Sequence, residues 1–143
     1  MPILQLKRTF VGQLPNGADL LDGLTAIVKR EDIRMGRLSA IGATTHAVVA
    51  YYDQNAQIYN PLEFTGGMEI LSLTGNVSVR DGSPFVHAHI VLGDKEGKLF
   101  GGHVMKGTIV YALEVFIEEY EGDWLERKHD ALTGLYLWSG GKF

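Results

Sequence analysis

The sequence predicts an α+β fold in which one main N-terminal helix covers a face of a largely antiparallel β-sheet. A single stretch, near residues 19–32, carries its apolar residues on a 3.6-residue period. From Leu38 onward the chain changes to short runs rich in Val, Ile, Tyr and Thr, parted by Gly, Asn and Asp, as strands joined by tight turns require. Its 143 residues suit one ordinary domain, and 18 glycines are about twice what typical usage gives. Residues 1–143 therefore read as a single domain, without internal repeat, low-complexity tract or linker.

Leu4 to Leu14 mixes apolar and polar positions as an edge strand does, and Pro15-Asn16-Gly17 supplies a turn. In the helix Leu20, Leu21, Leu24, Ile27 and Val28 form one stripe. Asp19 is placed to cap the free amides, Asp22 adds negative charge to the first turn, and the end falls near Glu31 or Asp32. The expected strands are Leu38 to Ile41, His46 to Tyr52, Gln57 to Leu62, Glu69 to Leu73 continuing through Val79, Phe85 to Leu92, Lys98 to Val104 and Thr108 to Tyr120, with a last one near Leu135 to Trp138. Thr108 to Tyr120 has the length of a helix, but Val110, Tyr111, Val115, Phe116 and Ile117 favour a strand. Asp81-Gly82 and the segment from Gly93 to Gly97 fit hairpin connections.

Composition narrows the function classes. Seventeen acids against thirteen bases give a net charge of -4, which offers nucleic acid no uniformly basic surface. With no cysteine there is no disulfide, thiolate ligand or thiol nucleophile. The first residues lack the long apolar core of a signal peptide, and no apolar run approaches the ~20 residues a spanning helix needs, so the expected location is cytoplasmic with no membrane partner.

The chemistry concentrates in FVHAHIVLGDKEGKLFGGHVMKG. On a strand, Val86, Ala88, Ile90 and Leu92 take one face while His87 and His89 take the other, about 6 to 7 Å apart. A hairpin through Asp94 to Gly97 brings His103 back beside them, with Gly101 and Gly102 allowing close backbone approach. Three imidazole nitrogens suit a divalent metal such as Zn²⁺, since each neutral ring offers a lone pair without adding charge. The same histidines also suit a half-exposed sheet face or hydrogen bonding at a subunit boundary, while His46 and His129 read as structural or surface residues. Glu69 and Glu114 interrupt apolar strand patterns, so each is either solvated or facing a polar cavity. Glu69 is the candidate catalytic residue, able to move a proton if it reaches the metal; Arg80, beside Asp81, reads as a surface ion pair.

The LPNGADLLDGL turn and helix, the EILSLTGNVS strand, the HAHIVLGDKEG hairpin and the GGHVMKGT return together resemble the plant and prokaryote conserved (PPC) domain in its stand-alone prokaryotic form. That resemblance implies an α+β homotrimer, in which His87, His89 and His103 match the histidine cluster of prokaryotic relatives. It also implies a regulatory or DNA-associated role. Plant relatives carry AT-hook segments, which this chain lacks, and Gly67 stands where their GRFEIL motif has arginine. A more distant similarity to acetolactate decarboxylase, which holds zinc through three histidines, implies a second reading: a lyase-like metal enzyme or a small-ligand-binding protein. The basic residues fall into small groups, of which Arg30, Arg34 and Arg37 form the best phosphate contact, so any DNA association is expected to be weak.

Overall fold

Asp19 sets the start of the helix. Its backbone is extended, and its carboxylate accepts hydrogen bonds from the Asp22 amide at 2.9 Å and the Gly107 amide at 2.6 Å, so the cap also ties the distant turn at Gly107 to the start of the helix. The computed structural model describes residues 2–141 and contains β1 (Gln5–Leu14), α1 (Leu20–Arg30), β2 (Gly36–Asp53), β3 (Ile58–Arg80), β4 (Ser83–Gly93), β5 (Leu99–Val104), β6 (Ile109–Glu121), β7 (Glu126–His129) and β8 (Tyr136–Ser139). Lys29 and Arg30 complement the C-terminal end of the helix dipole, and Leu20, Leu24 and Val28 are fully buried on its inner face.

The strands form one sheet in the order β1-β6-β2-β5-β4-β3-β7-β8, and β2 also pairs with β3. Pairings β2–β3, β3–β4, β4–β5 and β5–β2 thus close a four-strand circuit, whose last link is only Val49–Val104 and Ala50–His103. Beneath α1, the core takes Leu38, Val49, Leu73, Val77, Ala88, Ile90, Leu92, Val104, Leu113 and Ile117. Asp81 and Gly82 turn β3 into β4 with φ of 51° and 76°, the left-handed pair a two-residue hairpin needs.

The pairs expected as separate short strands are continuous. Leu38 to Ile41 and His46 to Tyr52 lie within β2, and Glu69 to Val79 within β3, as does the segment expected from Gln57 to Leu62 except Gln57 itself, which stays in the preceding turn with a φ of 54°. Register shifts at Ala40/Gly42 and Thr44/His46 take up the small and polar residues as bulges, so the ladder bends without ending. Strand β7 was not expected, because Glu126-Arg127-Lys128-His129 has no apolar alternation; its pairings with β8 and with β3 at Val79 create it. None of the helices among the described residues is long and apolar enough to cross a membrane.

Candidate metal centre

Strand β4 separates its side chains as its period requires: Val86, Ala88, Ile90 and Leu92 are buried toward α1, and His87 and His89 emerge on the opposite face. Directly across from His89 on β5 stands His103, which is also the Cα partner of Ala50 on β2. The position that closes the strand circuit is therefore the one that delivers the third imidazole. Ring centroids lie 5.0 Å apart for His87 and His89, 5.0 Å for His87 and His103, and 5.5 Å for His89 and His103.

One nitrogen from each ring lies within 4.8 Å of the others. Zinc–nitrogen bonds of about 2.0 to 2.1 Å place tetrahedral ligands about 3.3 Å apart, so modest side-chain rotation suffices to close the set. Nδ1 of His103 is buried without a hydrogen-bond partner among the described residues, as an atom kept for a metal or another ligand would be. Burial, followed by the Arg127 guanidinium and the other two histidines, pushes the His87 pKa down to about 4; burial and then His89 and Arg127 do the same to His103, also to about 4. Both rings are thus neutral at pH 7, the state in which imidazole binds metal.

The surroundings of the triad come largely from residues the sequence did not single out. Arg127, only 7% exposed, donates to Ser78 Oγ, Asn76 Oδ1 and the Tyr136 carbonyl at 2.8 to 2.9 Å, and its Nη2 faces His87 Nδ1 at 3.2 Å. Tyr59 packs its ring 4.8 Å from that of His103. In the sequence Arg127 is merely half of one small basic group with Lys128; only the pairing of β7 beside β3 brings it to the site. Arg80 does lie near Asp81, at 3.6 Å, as expected, but its guanidinium also stands 3.6 Å over the Tyr136 ring and borders the same cavity.

Glu69 is not brought to the histidines. It is exposed, pairs across to Gly93 and Ala43, and lines two cavities to which none of the three contributes. The reason is register: Thr74, not Glu69, opposes His89, and five positions along a strand span roughly 16 Å. Glu114 borders one of those cavities with Glu69 and is likewise exposed. His46 pairs with Glu63 at 3.0 Å, and His129 lies edge-on to Tyr136. Of the candidate phosphate contacts, Arg30 meets Glu31, Arg34 meets Asp32 and Arg37 meets Glu118, so each is matched by a carboxylate.

Comparisons with known proteins agree with this architecture. The family model described as the Plants and Prokaryotes Conserved (PCC) domain matches residues 1–121. A plant- and prokaryote-conserved protein from Pyrococcus horikoshii is 36% identical with a TM-score of 0.93, covering 99% of this chain and 97% of that one. A metal-containing protein from Archaeoglobus fulgidus is 38% identical, also at 0.93, covering 98% and 99%. At 23% identity and a TM-score of 0.85, a proposed DNA-binding protein from Bacteroides thetaiotaomicron shares the fold over 95% of this chain and 96% of its own. A Staphylococcus aureus protein of unknown function, similar to alpha-acetolactate decarboxylase, shares it more distantly, with 16% identity, a TM-score of 0.51 and coverage of 83% and 53%. Among curated sequences, a bifunctional protein GlmU from Synechococcus is 28% identical over 129 residues; the match takes in 89% of this chain but 20% of that protein, so the chain spans about a fifth of its length.

Proposed function

The chain belongs to the plants and prokaryotes conserved domain family, and from that premise we propose that it is a divalent-metal protein in which His87, His89 and His103 hold one Zn²⁺ ion beside a small-ligand cavity. The observation that carries this reading is the convergence of three imidazoles on one sheet face, two of them held neutral and one with a buried, unpartnered nitrogen. The metal content of the Archaeoglobus fulgidus relative supports it. An ion held by three histidines supplies a Lewis acid that polarises an oxygen of a small molecule or lowers the pKa of bound water. Proton transfer is not assigned to Glu69, because its place on β3 keeps it away from the triad. The functional weight rests here because the triad converges on one point, whereas Arg30, Arg34 and Arg37 lie on the surface, each beside an acid that offsets its charge.

We also propose that the chain forms a homotrimer, supported by the apolar residues exposed on the sheet face away from α1. The metal reading is tested by elemental analysis of protein prepared without a polyhistidine tag, beside His89→Ala. His89 is exposed, so its loss should sharply lower metal occupancy while the core stays folded. Absence of bound metal after equilibration with zinc, or the same occupancy in the variant, would falsify the site.

A further inference from the structure

The cavity beside the triad holds a buried positive charge with no negative partner among the described residues. Arg127 is 7% exposed, and three of its donors go to neutral acceptors: the Ser78 hydroxyl, the Asn76 side-chain oxygen and the Tyr136 carbonyl. A fourth faces His87 Nδ1 at 3.2 Å, and the fifth meets no acceptor among the described residues. Among the described residues no carboxylate lies within ion-pairing distance of this guanidinium, and no acid lines the cavity. Buried charges are ordinarily paired, because removing one from water without a partner costs several kcal/mol. A second guanidinium, Arg80, stands in the same wall, and the acid it contacts, Asp81, is 86% exposed and outside the cavity. The lining thus carries two guanidinium groups and no acid to balance them.

We propose that this cavity binds a small carboxylate whose negative group pairs with Arg127 and Arg80. The cavity volume is about 150 Å³, roughly five water volumes, which suits a ligand of a few heavy atoms. Phe85, Tyr136 and Leu137 give it apolar walls, suited to a short carbon chain and poorly suited to a fully solvated phosphate. Planar guanidinium matches planar carboxylate. Because His87 and His103 border the same space, a second oxygen on the ligand would face the proposed metal. Only that second contact rests on the metal reading; the pairing with Arg127 does not require the ion.

Binding of lactate and of its neutral counterpart lactamide, measured by isothermal titration calorimetry on chelator-treated and on zinc-loaded protein, tests the proposal. Lactate should bind the metal-free chain at least about tenfold more tightly than lactamide, as expected for a charge-assisted contact. Arg127→Lys should weaken lactate and leave lactamide unchanged. Since Arg127 also ties β7 and β8 to the sheet, Arg80→Gln provides a second variant on a partly exposed side chain, with a severalfold loss for lactate alone. Zinc should tighten lactate further; a gain absent in zinc-loaded protein would count against the metal reading and leave the carboxylate site standing. Equal affinity for lactate and lactamide, no lactate binding to either form at about 10 mM, or inorganic phosphate binding more tightly than lactate at the same site would overturn the proposal.

Discussion

Nη2 of Arg127 lies 3.2 Å from Nδ1 of His87, across 40 positions of sequence. This contact joins the β7–β8 hairpin, which lies beyond the residues matched by the family model, to the histidine cluster that lies within them. The guanidinium disfavours protonation of the ring it faces, while its other donors fasten the hairpin to β3.

A pH dependence of stability follows for the metal-free chain. His87 and His103 titrate near 4 when folded and near 6.5 when unfolded, so between those values the unfolded chain binds more protons. Their contribution is fully present above about pH 6.5 and is lost as pH falls toward 4. The urea midpoint of chelator-treated protein should therefore decline through that window. Carboxylates titrate at its lower end, so the comparison is with a His87→Asn, His103→Asn double variant, whose decline should be shallower. Equal slopes for the two proteins would refute the assignment.

Much of this architecture was legible because it is local. The stripe from Leu20 to Val28 and the alternation from Phe85 to Leu92 each state a face, and Gly101 with Gly102 before His103 states a close return. These place the helix, β4 and the triad. What was not legible depends on pairing across long separations. Bulges that fuse two short strands into β2 look like breaks in a linear pattern, and β7 has no apolar period because its partners and Arg127 hold it. The same limit explains Glu69: it resembles a catalytic acid by interrupting an apolar strand, but only the β3–β4 register shows that Thr74 opposes His89 instead.

Gly102→Ala should lower both stability and metal occupancy. A Cβ there would lie 2.8 Å from the Ala50 carbonyl oxygen and 3.2 Å from Val49 Cγ2, and the backbone oxygen cannot swing away as a side chain would. Relieving the overlap must push β5 from β2 at the closing link of the circuit, next to His103. Overpacking of this kind costs about 1–3 kcal/mol. Thermal unfolding and zinc content, measured on the same preparation, check it; an unchanged melting temperature with full occupancy would show that the strands tolerate a side chain there.

The homotrimer is the last expectation, and it rests on the outer face of the sheet. On β6 Val115 and Ile117 are buried beneath α1, so Phe116 between them points the other way and is 52% exposed. Val11, its direct partner on β1, is 66% exposed, and Ile41 on β2 is 57% exposed. Val11 and Phe116 lie side by side and Ile41, opposite Glu114, stands diagonal to Phe116 on the same face; these apolar residues are left in water by a single chain, and burying them against further copies contributes about 25 cal/mol per Å². Light scattering at low micromolar concentration should give three times the mass of one chain. Phe116→Glu should dissociate the assembly, because a carboxylate would have to be desolvated at each contact. A monodisperse monomer for the unaltered chain would exclude the trimer, and an intact trimer in the variant would place its contacts away from this face.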